Sequence, residues 1–289
     1  MPDRSFADHF SSISSAYADF RPRYPVALFD WLAAIAPART LAWDCACGSG
    51  QASVDLVSRF AQVIATDASE NQLASAQPHP RITYRKASAE DPGIADASAD
   101  LVTVAQALHW FDLPRFYDAV RRILKPGGIL VVWSYSLQTV EGDSVNALAR
   151  RFYEDTVGAC WQPERTLVET GYRTLDFPFP EEQARACAMR ADWPMERLLG
   201  YFSSWSATAR YRNVHGEDPI TALRETLRAT WGDPLAPPAR SCGLSPFVPA
   251  ANRLRPETQA LNRPRSHDRD MPVVLLSAAS CSFIFQGSP

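Results

Sequence analysis

From residue 26 to residue 134, short apolar runs alternate with amphipathic stretches. Val26, Phe29, Leu32, Ala33 and Ala36 recur at helical spacing before Pro37 stops the run. The pattern then predicts strands over residues 40–43, 62–66, 81–85, 101–107 and 129–133. Helices are predicted between them. Ala52, Leu56, Val57 and Phe60 share one helical face, and a helix over about 70–76 closes at Pro78. Phe116, Val120, Ile123 and Leu124 form a further stripe, ended by Pro126-Gly127-Gly128. Strand, helix, strand at this pace implies right-handed βαβ units. The fold class is therefore α/β, a doubly wound, mostly parallel sheet with helices on both faces. The runs LVTVAQAL and ILVVW are apolar almost throughout, as strands buried on both faces require.

Beyond Tyr135 the alternation loosens. A helix is predicted near 144–157, a strand near 183–190, and helices near 195–205 and 217–231, the last with Ile220, Leu223, Leu227 and Trp231 on one face. This part reads as a small helical cap. From Pro234 onward prolines interrupt every pattern, and the tail reads as irregular apart from apolar patches at 273–276 and 282–285. The predicted organisation is a lid and first helix over 1–40, the sheet core over 41–134, the cap over 135–233 and an atypical tail over 234–289. If that tail supplies no strand, Val131 and its neighbours lie near an exposed sheet edge.

Composition narrows the function classes. A chain of 289 residues holds one large α/β domain with elaborations, and its net charge of -3 disfavours a broad electrostatic grip on nucleic acid or anionic membrane. Six cysteines are present without a C-x-x-C pair, so neither a zinc site nor a disulfide framework is indicated. No run approaches the roughly 18 apolar residues of a membrane helix. A cytoplasmic location is expected, with no nucleic-acid partner, no membrane and no metal.

Chemistry concentrates in DCACGSGQAS, residues 44–53. Gly48-x-Gly50-x-x-Ser53 lacks the third glycine of a dinucleotide fingerprint, and no Gly-Lys-Ser/Thr follows. Asp67 closes the next strand, where a carboxylate takes ribose hydroxyls. Asp44 precedes the glycines. A carboxylate there repels phosphate but attracts an ammonium or a sulfonium. Ala46 stands where a glycine is usual and is expected to keep a negative φ.

LAWDCACGSG resembles motif I of the class I S-adenosylmethionine-dependent methyltransferases, a family with a Rossmann-like fold. VIATDASENQL, ADLVTVAQALHWFD and RRILKPGGILVVW match further blocks in order. YADFRPRYP and ERLLGYFSSWSA make the chain similar to the small-molecule group of the methyltransferase type 11 kind that includes trans-aconitate methyltransferase. The resemblance covers about residues 5–232. It implies S-adenosyl-L-methionine as cofactor, with Asp44 and the backbone of Ala46, Gly48 and Gly50 at its methionine part. Asp67 would take the ribose, Ala68 would lie near the adenine, and Ser88, Ala89 and Glu90 would border the adenine edge. Gln106 and Ala107 would flank the sulfonium, and Tyr17 and Arg21 would belong to a lid. Family members usually add a final β-hairpin strand after the helix ending near Trp231, and the tail here departs from that pattern.

Other residues admit two readings each. His109 is a general base, a substrate contact with Trp110, or a structural histidine. Arg21 and Arg23 suit a carboxylate or serve only the fold. Trp161, Trp193 and Trp205 line an acceptor pocket or pack the cap. Residues 105–108, Ala-Gln-Ala-Leu, lack the Asn/Asp-Pro-Pro-aromatic loop of enzymes that methylate DNA adenine or glutamine amides. The expected activity is methyl transfer to a small molecule, at a carboxylate oxygen, with catalysis mainly from positioning. The alternatives are a cofactor-binding but catalytically impaired relative and, further off, an NAD-dependent oxidoreductase.

Overall fold

The computed structural model describes residues 20–135, 137–179, 181–182, 189–231, 241–244 and 273–276. Helix α1 (Val26–Ile35) leads into β1 (Leu41–Cys45), α2 (Gln51–Leu56), β2 (Gln62–Asp67), α3 (Glu70–Ala74), β3 (Ile82–Lys86) and β4 (Ala99–Ala105). A 3-10 turn at Leu108–Trp110 precedes α4 (Leu113–Ile123) and β5 (Leu124–Trp133). The predicted strands and helices of this half are all present, with shifted ends. The fourth strand stops at Ala105 because Gln106 turns to φ +59°.

Seven parallel strands form the sheet in the order β3-β2-β1-β4-β5, continued by the segments 273–276 and 181–182. Trp43, Val102, Val104, Leu130 and Val132 face one buried cluster, and Ala42, Leu101, Ile129 and Val131 face another. Two-sided burial explains the continuous apolar runs. The start of β1 is pinned by Asp100 of β4, whose Oδ2 accepts from the Thr40 and Leu41 N–H groups at 2.7 and 3.0 Å. Lys125 Nζ donates to the other oxygen at 2.6 Å.

The second half contains β6 (Thr139–Val140), α5 (Asp143–Arg151), α6 (Arg165–Glu169), β7 (Glu181–Glu182) and β8 (Met189–Asp192). Helices α7 (Met195–Ser203), α8 (Ser206–His215) and α9 (Pro219–Trp231) follow, packed with α5 around a third cluster rich in aromatic rings. The strand predicted at 183–190 falls partly outside the described residues, and β8 begins only at Met189.

Two short segments of the tail form strands. Residues of β9 (Ser241–Leu244) pair antiparallel with β6 and β8. Residues of β10 (Val273–Leu276) lie parallel to β5, with Val274 opposite Val131. The edge expected to be exposed at Val131 is therefore covered, because the apolar run at 273–276 satisfies the backbone groups that β5 presents. The second patch, 282–285, lies outside the described residues.

Candidate active site

Strands β1 and β4 are neighbours, and the chain leaves them toward opposite sides of the sheet, β1 toward β2 and β4 toward β5. A crevice opens beyond their carboxyl ends, where open α/β sheets bind ligands. One wall is the loop after β1. It alternates left-handed residues, with φ +53° at Ala46, +56° at Gly48 and +77° at Gly50. Ala46 thus overturns the expectation of a negative φ. The turn requires the left-handed region there, which an alanine enters at a cost of about 1 kcal/mol. At Gly50 a Cβ would stand 2.5 Å from the Tyr84 hydroxyl.

Asp44 lies beneath this loop and is 1% exposed. Its register partner Thr103 donates to Oδ1 at 2.9 Å, and Ser53 of α2 donates to Oδ2 at 2.6 Å. Burial outweighs these bonds and, with the nearby Asp67 charge, raises the carboxyl from 3.8 to about 6. An ionised carboxylate in such surroundings calls for a cation. It borders a small recess of about 430 Å3 with Ala46, Gly48, Ala105 and Gln106.

Asp67 closes β2 one strand away. Gly48 N–H donates to its Oδ2 and Ser69 N–H to its Oδ1, both at 2.8 Å. Asp67 borders the adjoining groove, which has an empty volume of about 1220 Å3, open to solvent. The groove gathers Ala46, Gly48, Asp67, Ala68, Ser88, Ala89, Glu90, Gln106, Ala107 and Trp110. Gly50 lies away from it, in a separate cleft with Arg21 and Arg23. Tyr17 lies outside the described residues. Gln72 also lines the groove. It is 4% exposed, and its amide oxygen is buried with no hydrogen-bond partner. A polar residue at a buried helical position of ENQL is the signal that would have found it.

Gln106 joins this groove to a second pocket. Its N–H donates to Trp133 O at 2.9 Å and its Nε2 to Tyr135 O at 3.0 Å, fixing its strained backbone to the end of β5. The second pocket, an empty volume of about 670 Å3 that includes open solvent, is lined by Arg21, His109, Trp110, Tyr135, Gln138, Tyr153, Trp161, Arg165, Tyr201 and Trp205 among others. Among the described residues, no aspartate or glutamate lines it. Arg21 donates to the Tyr135 hydroxyl at 3.2 Å and lies over the Tyr201 ring. Arg165 donates through Nε to the Tyr153 hydroxyl at 2.9 Å, its guanidinium 4.8 Å from the Trp161 ring centre. Glu169 partly offsets that charge, 3.9 Å from Arg165 Nε and hydrogen-bonded to Tyr153. Gln138 is 3% exposed, and neither its amide oxygen nor its nitrogen has a partner.

His109 is brought to this pocket by the 3-10 turn after β4. Burial and the Arg165 charge lower its pKa from 6.5 to about 3, so the ring is neutral. Trp161 and Trp205 both line the pocket and pack the cap, whereas Trp193 lies apart, against Tyr201 and Arg197. Gln138 and Arg165 sit in no motif, and nothing in the linear pattern marks them. Among the described residues no group of side chains is placed to hold a metal ion. No helix there is long and apolar enough to cross a membrane.

A buried acid beneath a glycine loop, a second acid at the next strand and an adjoining pocket form a candidate ligand site on an α/β sheet. The family model described as a methyltransferase domain matches residues 43–132. A Dictyostelium discoideum protein bearing a methyltransferase name is 34% identical over 225 residues, 77% of this chain and 86% of its own. An uncharacterised methyltransferase of Mycobacterium tuberculosis is 37% identical over 133 residues, 45% of this chain and 54% of its own. A solved structure named as a type II methyltransferase, from Anaeromyxobacter dehalogenans, superposes with a TM-score of 0.72. It is 46% identical and spans 78% of this chain and 95% of its own. The chain belongs to the class I S-adenosylmethionine-dependent methyltransferases.

Proposed function

We propose that the protein transfers a methyl group from S-adenosylmethionine to a carboxylate oxygen of a small acid seated in the pocket beyond Gln106. The observation that carries this reading is the pocket's charge, with Arg21 and Arg165 in its lining and no carboxylate among the described residues that line it. The groove suits the cofactor. Asp67 would take ribose hydroxyls, and Ala68, Ser88, Ala89 and Glu90 would border the adenine. Gln106 and Ala107 would flank the sulfonium, and the Ala46–Gly50 loop over Asp44 would hold the methionine end. The orphaned Gln72 oxygen is a further acceptor for the adenosine part.

When bound, S-adenosylmethionine supplies a sulfonium methyl, which the carboxylate oxygen takes as the C–S bond breaks and its electron pair returns to sulfur. The acceptor is already an anion at neutral pH, so no residue of the chain has to remove a proton. What the chain supplies is alignment by the arginine forks and a wall of aromatic rings that keeps water out. The test is transfer of labelled methyl to benzoate, trans-aconitate, phenol and benzylamine. Base-labile methyl esters of the acids are expected. Methylation of the phenol or the amine with both acids inert would overturn the reading. Calorimetric binding of S-adenosylmethionine without turnover of any acceptor would favour the catalytically impaired alternative.

A further inference from the structure

We propose that His109 serves the acceptor pocket as a hydrogen-bond donor through Nε2–H, and that Tyr172 is the positioning residue that holds it in that tautomer. The inference rests on reading this pocket as the acceptor site, and it assigns His109 a role opposite to that of a base.

Tyr172 is fully buried and lies 63 residues along the chain from His109. It follows Gly171, and both are left-handed, at φ +64° and +60°. A tyrosine in that region is strained by about 1 kcal/mol and persists only where the surroundings determine it. Here they do. The Tyr172 N–H donates to Leu167 O at 2.7 Å and the Gly171 N–H to Val168 O at 3.0 Å, closing the end of α6. The turn delivers the phenol to His109, with Oη 3.0 Å from Nδ1 and the rings 26° from parallel. Trp110 lies against the same imidazole at 4.5 Å between centres.

The tautomer follows from the proton count. Burial keeps the Tyr172 phenol protonated. Among the described residues Nδ1 is the one hydrogen-bond partner of that hydroxyl, and a buried O–H without an acceptor is costly, so its proton goes to Nδ1. A neutral imidazole that accepts at Nδ1 carries its hydrogen on Nε2. The charged groups nearby do not reverse this. Arg165 disfavours a second cation, and Glu169 is engaged by Tyr153 and Arg165. Among the described residues the Tyr172 contact is the one hydrogen bond of the His109 ring. Nε2–H thus joins Arg21 and Arg165 as a donor in a pocket lined by no carboxylate among the described residues. Such a lining selects acceptors that present oxygen lone pairs. A hydroxyl or amine acceptor that must lose a proton finds no base at His109.

The experiment is a long-range proton–nitrogen correlation spectrum of the full-length protein labelled with [15N]histidine, the His109 signals being those lost in His109→Gln. The expected pattern is a neutral Nε2–H ring, unchanged between pH 5.5 and 8. An Nδ1–H pattern, or protonation within that range, would overturn the proposal. Tyr172→Phe is expected to give mixed tautomers, or imidazolium at the acid end. If that variant does not fold, the wild-type spectrum still decides. With whichever acid is turned over, His109→Gln keeps a donor and lowers kcat/KM mainly through KM. A loss of about 100-fold in kcat at unchanged KM would instead mark a base. Failure of the carboxylate reading shows itself separately, as an Nε2–H spectrum with no ester formed from any acid.

Discussion

Asp44→Asn removes one charge and almost no volume at a site 1% exposed. The carboxyl is raised from 3.8 to about 6, chiefly by burial. A carboxyl whose folded pKa lies above its unfolded value loses stability as pH rises through that window, and the penalty is complete above pH 6. The shift of roughly 2 units corresponds to about 3 kcal/mol at neutral pH, with about half of it relieved at pH 5. Asparagine carries no such penalty. It can donate to one hydroxyl and accept from the other at Ser53 and Thr103, whose hydroxyls turn to suit. In urea unfolding without cofactor, Asp44→Asn is therefore expected to be more stable than wild type at pH 7.5, by up to about 3 kcal/mol, and to lose most of that advantage toward pH 4. Calorimetry should move the other way, with S-adenosylmethionine bound about 10- to 100-fold more weakly at pH 7.5 for want of the anion. A variant less stable than wild type at pH 7.5, or a gain independent of pH, would refute the reasoning. Unaltered cofactor affinity would refute the role given to the carboxylate.

Three further substitutions bear on the loop and the groove. Ala46→Gly relieves a left-handed alanine. Against the greater entropy of unfolded glycine, a net gain of up to about 0.5 kcal/mol is expected in urea unfolding at any pH. Gly50→Ala meets both a φ of +77° and the Tyr84 hydroxyl at 2.5 Å, so a loss of about 2 kcal/mol or more is expected, with impaired cofactor binding by calorimetry. Gln72→Leu takes away an orphaned buried oxygen. The cofactor-free protein should be no less stable in urea, while S-adenosylhomocysteine binds about tenfold more weakly; equal affinity would remove Gln72 from the site.

How much of this was legible along the chain differs by element. Strands β4 and β5 could be read because parallel strands buried on both faces must be apolar throughout, and LVTVAQAL and ILVVW say so without help. The cofactor loop could be read because Asp44, Gly48, Gly50 and Asp67 lie within one β-α-β unit, where neighbours in sequence are neighbours in space. The left-handed Ala46 could not, because backbone torsion is imposed by the turn that β1 and α2 make together, and alanine by itself prefers the other region. Nor could the strand at 273–276 be assigned, since four apolar residues in a proline-rich stretch become a strand only when β5 presents unpaired backbone groups to them.

By itself, then, the sequence determined the parallel α/β core, the glycine loop and the acids beside it, all through local periodicity and short-range spacing. The tertiary structure alone decided which side chains meet beyond Gln106. Arg21 enters from before the sheet, His109 from the end of β4, Gln138 from after β5, and Arg165 and Tyr172 from the cap. They meet because packing brings segments tens of residues apart to one end of the sheet, and convergence over such separations leaves no period in the chain.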